Sequence, residues 1–262
     1  MNLISVDTDK CKGDGMCVES CPSGHLTLGS DGWPMSVPGT ACIECGHCVA
    51  ICPHEALSHA LLPREEFEAA PARGALPGFE AMRGLLAFRR SVREFKDQPV
   101  PREDLERLLD IARRAPTAVN SQHIRWIVTL DPARTRLLAG LGAEWMRGAG
   151  IAPGYLKLWD QGRDVILRGA PHLVLAVAPA DYGWAAVDSS IALTYLELAA
   201  ASLGLGACWA GLITRAANAD PATIRELGLP QGQQVCGGLM LGLPKYRYRL
   251  IPPRKELRAD WL

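Results

Sequence analysis

The sequence predicts an α+β protein of two unequal domains, and three observations carry that expectation. Seven of the nine cysteines fall within the first 52 residues, at regular and tight spacings. Residues 61–82, LLPREEFEAAPARGALPGFEAM, are interrupted by Pro63, Pro71, Gly74, Pro77 and Gly78, which predicts a linker with room for one short helix over Glu65–Ala70. Beyond it, segments of helical period alternate with short valine-rich apolar runs. The expected organisation is a small domain over residues 1–60, a linker over 61–82 and a larger domain over 83–262. A chain of 262 residues is long enough for a sizeable core in the second of these.

Charge and hydropathy exclude several partner classes. Lysine plus arginine number 28, as do aspartate plus glutamate, so no net field favours nucleic acid or an anionic membrane surface. No apolar run reaches the ~18 residues of a membrane span. The N-terminal MNLISVDTDK lacks the charged-then-apolar shape of a signal peptide. A cytoplasmic protein is expected, and cysteines grouped at metal-ligand spacing agree with a reducing compartment.

The N-terminal domain is a repeat. CKGDGMCVESCP (11–22) and CIECGHCVAICP (42–53) superpose with a shift of 31 residues. Cys11, Cys17 and Cys21 fall on Cys42, Cys48 and Cys52, Pro22 falls on Pro53, and Asp14 falls on Cys45. The run C-x2-C-x2-C-x3-C-P is that of bacterial two-cluster ferredoxins, which residues 1–60 resemble apart from Asp14. The resemblance implies crossed ligation, the fourth cysteine of each run serving the other cluster. One cluster would use Cys42, Cys45, Cys48 and Cys21; the other Cys11, Cys17 and Cys52, with Asp14 at the fourth corner. Carboxylate is harder than thiolate, so three arrangements are open: Asp14 ligates a 4Fe-4S cluster, the corner is lost to leave 3Fe-4S, or the site is empty. An empty site would leave three idle thiols in a segment too small for much core. Zinc also uses C-x2-C pairs, but two runs ending in Cys-Pro fit the iron–sulfur pattern better. His25, His47, His54 and His59 read as filler around the clusters.

In the larger domain, LERLLDIARRA places Leu105, Leu108, Leu109 and Ala112 on one helical face, with Pro101 near its start. RWIVTL (125–130) and HLVLAVA (172–178) predict buried strands. DSSIALTYLELAAASLG (188–204) predicts a long, mostly apolar helix ending at Gly204, needing burial on more than one side. A subunit interface would supply it. GLGACWAG (204–211) lacks a glycine at Trp209 and follows a helix, so it is poor support for dinucleotide binding.

RRSVREF (89–95), APTAVNSQHIRW (115–126), the Gly204–Gly211 stretch and LGLPKYRYRLIPPRK (241–255) resemble, in order and spacing, the landmarks of the FMN-dependent nitroreductase family. With its N-terminal segment the chain resembles the ferredoxin-fused branch of that family. The resemblance implies an α/β/α sandwich of obligate-dimer type that holds FMN at a shared interface. It assigns Arg89, Arg90, Ser91 and Arg93 to the FMN phosphate and polar ring edge, a role suited to the guanidinium fork. It assigns Asn120 and Gln122 as amide contacts, and Ala210 and Gly211 as backbone along the ring. Arg254 and Lys255 are the implied phosphate ligands from the C-terminal stretch, with Lys245 and Arg247 as rivals. The family usually has proline after N-x-Q; here it is His123, which reads either as a titrating group near the substrate or as a loop histidine. Cys208 and Cys236 read as small buried residues.

The implied activity is an FMN oxidoreductase. An external low-potential donor such as ferredoxin or flavodoxin would feed two iron–sulfur clusters, then FMN, then a small organic acceptor such as a nitroaromatic or quinone. The flavin carries the chemistry, so no side-chain catalyst is assigned. Residues 140–168 would cover the acceptor, with Trp145, Tyr155 and Trp159 available for stacking or for core packing. An electron-transfer or redox-sensing protein without turnover, and a non-redox or flavin-consuming reaction, are the alternatives.

Overall fold

The computed structural model describes residues 3–262 and falls into two compact units. The first runs to Leu76 and takes in Val119–Ser121; the second is Pro77–Ala118 with Gln122–Leu262.

The first unit contains β1 (Ile4–Val6), α1 (Met16–Glu19), β2 (Leu26–Leu28), β3 (Pro34–Ser36), α2 (His47–Ile51) and β4 (Leu57–His59). β1 pairs antiparallel with β4, and β2 with β3. The 31-residue repeat carries α1 onto α2 and β2 onto β4. Each helix is entered from a glycine in the left-handed region, Gly15 at φ 73° and Gly46 at φ 70°, a conformation costly for other residues. A Cβ on Gly46 would also lie 3.2 Å from the Phe67 ring. Helices of four and five residues are far below the length that stands alone in water. They are held by a small core of Ile4, Leu26, Val49 and Leu57, with Cys17 and Cys48 inside it.

The expected helix over 65–70 is a single 3-10 turn, Arg64–Glu66. Phe67 leaves the turn extended and packs on the small core, which stops the helix. A second turn spans Arg73–Ala75.

The second unit continues with α3 (Phe79–Phe88), α4 (Arg102–Ala112), β5 (Arg125–Val128), α5 (Pro132–Gly148), α6 (Pro153–Asp160), β6 (His172–Pro179), α7 (Ala185–Ser202), β7 (Gly206–Trp209), α8 (Gly211–Ala219), α9 (Pro221–Leu227) and β8 (Gln233–Gly242). α3 starts inside the stretch expected as linker, because its helix-breaking residues end at Gly78. The sheet order is β5-β6-β8-β7, every neighbour antiparallel.

β6 explains the layering. Strand side chains alternate between faces, and β6 is buried from His172 to Ala178. Leu173, Leu175 and Val177 join a core with α5, α6 and α8; Val174 and Ala176 join another with α4 and α7. Helices therefore cover both faces, giving the expected sandwich. α7 buries Ala192, Leu193, Leu196 and Ala200, leaves Val187 and Tyr195 exposed, and ends before Gly204 at φ 74°.

His172, fully buried at the start of β6, ties three segments together. Its Nδ1 lies 2.8 Å from the Thr129 carbonyl, and its Nε2 accepts from Val100 N–H at 2.9 Å. This pattern is that of a neutral ring donating from Nδ1. Burial lowers its pKa below the ordinary 6.5, opposed by those backbone bonds. The unfolded chain therefore binds this proton more readily. The stabilisation is complete above about pH 6.5 and declines as pH falls from there toward the depressed value. Urea unfolding of the full chain between about pH 5 and 7.5 should show this slope, and His172→Gln should remove His172's share of it. An unchanged slope in the variant would contradict the assignment.

Candidate functional site

The crossed pattern of thiols is present in the first unit. One cavity is lined by Cys21, Cys42, Cys45 and Cys48, with His59 beside them. Another is lined by Cys11, Asp14, Cys17 and Cys52, with His54. Each run thus sends its last cysteine to the other run's cavity. Burial pushes the Cys48 thiol up to about 11, and Cys42, Cys45 and Cys21 add to the rise. Burial also raises Cys17. Such thiols give up their protons when metal takes their place.

Asp14 stands among the thiols of its cavity, and its Oδ2 lies 2.9 Å from His54 Nε2. Asn120, assigned above to the flavin, belongs to this first unit. Its Nδ2 donates to the carbonyl oxygens of Ile43 and Glu44 at 3.1 and 3.0 Å, inside the Cys42–Cys45 loop. Val119, Asn120 and Gln122 all have positive φ, 48°, 55° and 49°. Left-handed backbone at three non-glycine positions is strain that the surroundings must hold.

In the second unit a cavity of about 450 Å³ collects basic side chains. Arg89, Arg90, Lys96, Lys245 and Arg247 line it together with Glu197. Arg89 Nη1 donates to Glu197 Oε1 at 2.9 Å. Glu197 is nearly buried, and burial raises its pKa against the pull of Arg89. Arg90 Nη1 donates to the Arg89 carbonyl at 2.7 Å, while its Nε is buried without a hydrogen-bond partner among the described residues. Five cations against one carboxylate, with an unspent buried donor, form a setting for an anionic oxygen group.

The arginine segment is clipped in place from both ends. Val92 N–H donates to the Ala207 carbonyl on β7 at 2.9 Å, and Lys96 N–H to the Leu243 carbonyl at 2.8 Å. Lys245 N–H returns to the Glu94 carbonyl at 2.9 Å, so the basic residues after β8 are drawn to the cavity. Ser91 bridges to Ala207 in parallel register, and Arg93 Nη1 donates to the Ser91 carbonyl at 3.3 Å. Cys208 is buried beside them; burial raises its thiol pKa, opposed by Arg93 and Ser91.

The Gly204–Gly211 stretch, expected as a turn, is largely strand: β7 spans Gly206–Trp209, with buried Ala210 leading to exposed Gly211 at the start of α8. Its pairing with β8 overrides the glycine content. Gly204 and Gly206 lie before and at the start of β7, not between a strand and a helix, so this is not a dinucleotide turn. Of the C-terminal basic residues, the two rivals Lys245 and Arg247 line the cavity, whereas Arg254 and Lys255 lie in an exposed stretch.

Comparison with known proteins accounts for both units. The model of the nitroreductase family matches residues 86–243, more than half of the chain. The chain belongs to the nitroreductase family. Ahead of the nitroreductase domain, residues 3–53 match the model of a 4Fe-4S dicluster domain. A Thermus thermophilus protein named NADH dehydrogenase is 31% identical over 192 residues, covering 64% of this chain and 89% of that one. A Bacillus subtilis protein named FMN reductase (NAD(P)H) is 28% identical over 167 residues. That match covers 62% of this chain and 65% of the Bacillus protein, just under two thirds of its length. A crystal structure of a Desulfitobacterium hafniense nitroreductase with bound FMN aligns with TM-score 0.57 and 26% identity, over 67% of this chain and 96% of that chain.

Within the nitroreductase domain, the aromatic residues proposed for stacking divide. Trp145 and Trp159 pack against the core, and Arg215 sits 5.5 Å over the Trp145 ring. Tyr155 is exposed, with Arg168 5.7 Å from its ring centre. His123 meets Tyr182 edge-to-face at 4.9 Å. Tyr182 Oη in turn donates to Asp188 at 2.5 Å, and Asp188 accepts from Ala118 N–H. This buried carboxylate anchors the entry to the 118–124 loop, a role with no periodic signal in the sequence.

Gly206 is the position on which the arginine segment rests. A Cβ there would lie 2.7 Å from Val92 Cγ2, and the clipped backbone of Val92 gives it little room. Gly206→Ala should cost about 1–3 kcal/mol by overpacking, read as a lowered denaturation midpoint. A neutral substitution would show that Val92 is not held against β7.

Proposed function

We propose that this chain is an FMN-dependent oxidoreductase whose electrons enter through iron–sulfur clusters. An external low-potential donor such as ferredoxin or flavodoxin reduces two clusters in the first unit, which pass electrons to FMN and on to a small organic acceptor such as a nitroaromatic or a quinone. The observation that carries this reading is the pair of cavities that mix the two cysteine runs, Cys21 with Cys42, Cys45 and Cys48, and Cys52 with Cys11, Cys17 and Asp14. A two-cluster ferredoxin needs that exchange.

FMN is supported by the nitroreductase neighbour that holds it and by the residues at hand. Arg89, Arg90, Lys245 and Arg247 would neutralise its phosphate, and Glu197 keeps one guanidinium of the set oriented. Ser91, Arg93 and Gln122 would meet its polar edges, and Ala210 with Gly211 its ring. When bound, FMN would supply the exchange between single electrons and electron pairs. Asp14 would supply the fourth corner of its cluster, with His54 Nε2 2.9 Å from its Oδ2. The exposed Val187 and Tyr195 of α7 suit a homodimer.

Two of the relatives above carry nicotinamide donors in their names, which sets up a direct test. In anaerobic stopped-flow experiments, dithionite or reduced ferredoxin should reduce the flavin much faster than NADH or NADPH. Equal rates would defeat the cluster route. Steady-state consumption of a nitroaromatic or quinone with the same donor should follow; its absence across acceptors would favour an electron-transfer protein without turnover. Asp14→Cys should alter the paramagnetic resonance signal of one cluster and leave the other unchanged. Indifference of both signals would remove Asp14 from the ligand set.

A further inference from the structure

His59 lines the cavity of Cys21, Cys42, Cys45 and Cys48 and is 5% exposed. It closes β4, paired across the ribbon with Ile4, so its backbone is fixed. Its Nδ1 accepts a hydrogen bond from the Leu61 backbone N–H at 3.1 Å. A backbone amide only donates, so Nδ1 carries the lone pair and the neutral ring holds its proton on Nε2. That nitrogen lies 3.6 Å from Cys42 Sγ, within reach of a hydrogen bond to sulfur. The Glu44 backbone N–H, 3.4 Å from the same sulfur, is a second donor.

The other cavity is built differently. The position equivalent to His59, 31 residues earlier, is Leu28, an exposed side chain with no hydrogen-bonding group. The imidazole in that cavity, His54, meets the Asp14 carboxylate and not a thiol. In that cavity a cysteine, Cys52, accepts from a backbone amide, Ala56 N–H at 3.4 Å, so it is the imidazole donor to a cysteine that departs from the repeat.

We propose that His59 is a positioning residue that donates its Nε2–H to the Cys42 thiolate and raises the reduction potential of the cluster held by Cys21, Cys42, Cys45 and Cys48. The proposal rests on the reading that this cavity holds an iron–sulfur cluster. Reduction adds one electron to the cluster and spreads negative charge onto its ligand sulfurs. A donor already aimed at one of them stabilises the reduced form more than the oxidised form, and burial strengthens the effect. No bond forms or breaks, and the proton stays on His59.

The test is a potentiometric titration by dithionite, followed by paramagnetic resonance, of the full chain purified without oxygen. His59→Phe keeps a planar ring and removes the donor; His59→Gln keeps an N–H near the position of Nε2. In the Phe variant one cluster should shift to more negative potential while the other keeps its midpoint, and the Gln variant should recover most of the difference. Unchanged midpoints, or an equal shift of both clusters, would overturn the proposal. If the Phe variant fails to hold its clusters, pulsed resonance on reduced wild-type protein with 15N-imidazole histidine decides. A nitrogen coupling lost in His59→Gln supports the contact, and its persistence there refutes it. Iron and sulfide assays on the wild type separate this failure from that of the broader reading, because absence of iron would defeat both.

Discussion

Each cysteine run places its last thiol, Cys21 or Cys52, in the cavity of the other run, and the N-terminal unit depends on that exchange. Its helices are one turn long, its strands have three residues each, and its apolar core is a handful of side chains. Burial of that size does not offset the entropy of ordering the chain. Under the proposed function, ligands that cross between the halves would supply the missing cohesion and couple loading with metal to folding.

The nitroreductase domain is organised by a different constraint. β6 is buried on both faces, so helices must flank it on both sides, and β8 must pair along its whole length. β7 then forms the outer edge, where the arginine segment adds itself through Ser91 and Val92. Gly206 makes the approach possible by leaving room for Val92. The basic cavity is the outcome: Arg89 is fixed by Glu197 from α7, and Lys245 is drawn back by Glu94. Its charge comes from two distant stretches of sequence brought together by backbone hydrogen bonds.

Much of this was legible from residue patterns. The repeat with its 31-residue shift identified the cavities' cysteines, because spacing constrains ligands directly. β5, β6, α4 and α7 followed from apolar runs and helical period. What was not legible depended on pairing or on atoms remote in sequence. β7 looked like a glycine turn because only β8 opposite makes it a strand. The rivals Lys245 and Arg247 line the cavity through a bond to the Glu94 carbonyl that no motif encodes. The bonds from the Asn120 amide to the Ile43 and Glu44 carbonyls reach a segment far away in sequence, which its motif does not encode. His59 read as filler because its tautomer and aim depend on Leu61 and Cys42 together.

The proposed function requires one chain to carry a complete route from iron–sulfur clusters to flavin. The most direct measurement is a cofactor census on protein purified without oxygen: iron, acid-labile sulfide and flavin per chain, with the flavin identified. The expected result is FMN together with iron and sulfide sufficient for two clusters. Iron and sulfide matching a single cluster, or a chain without FMN, would contradict it.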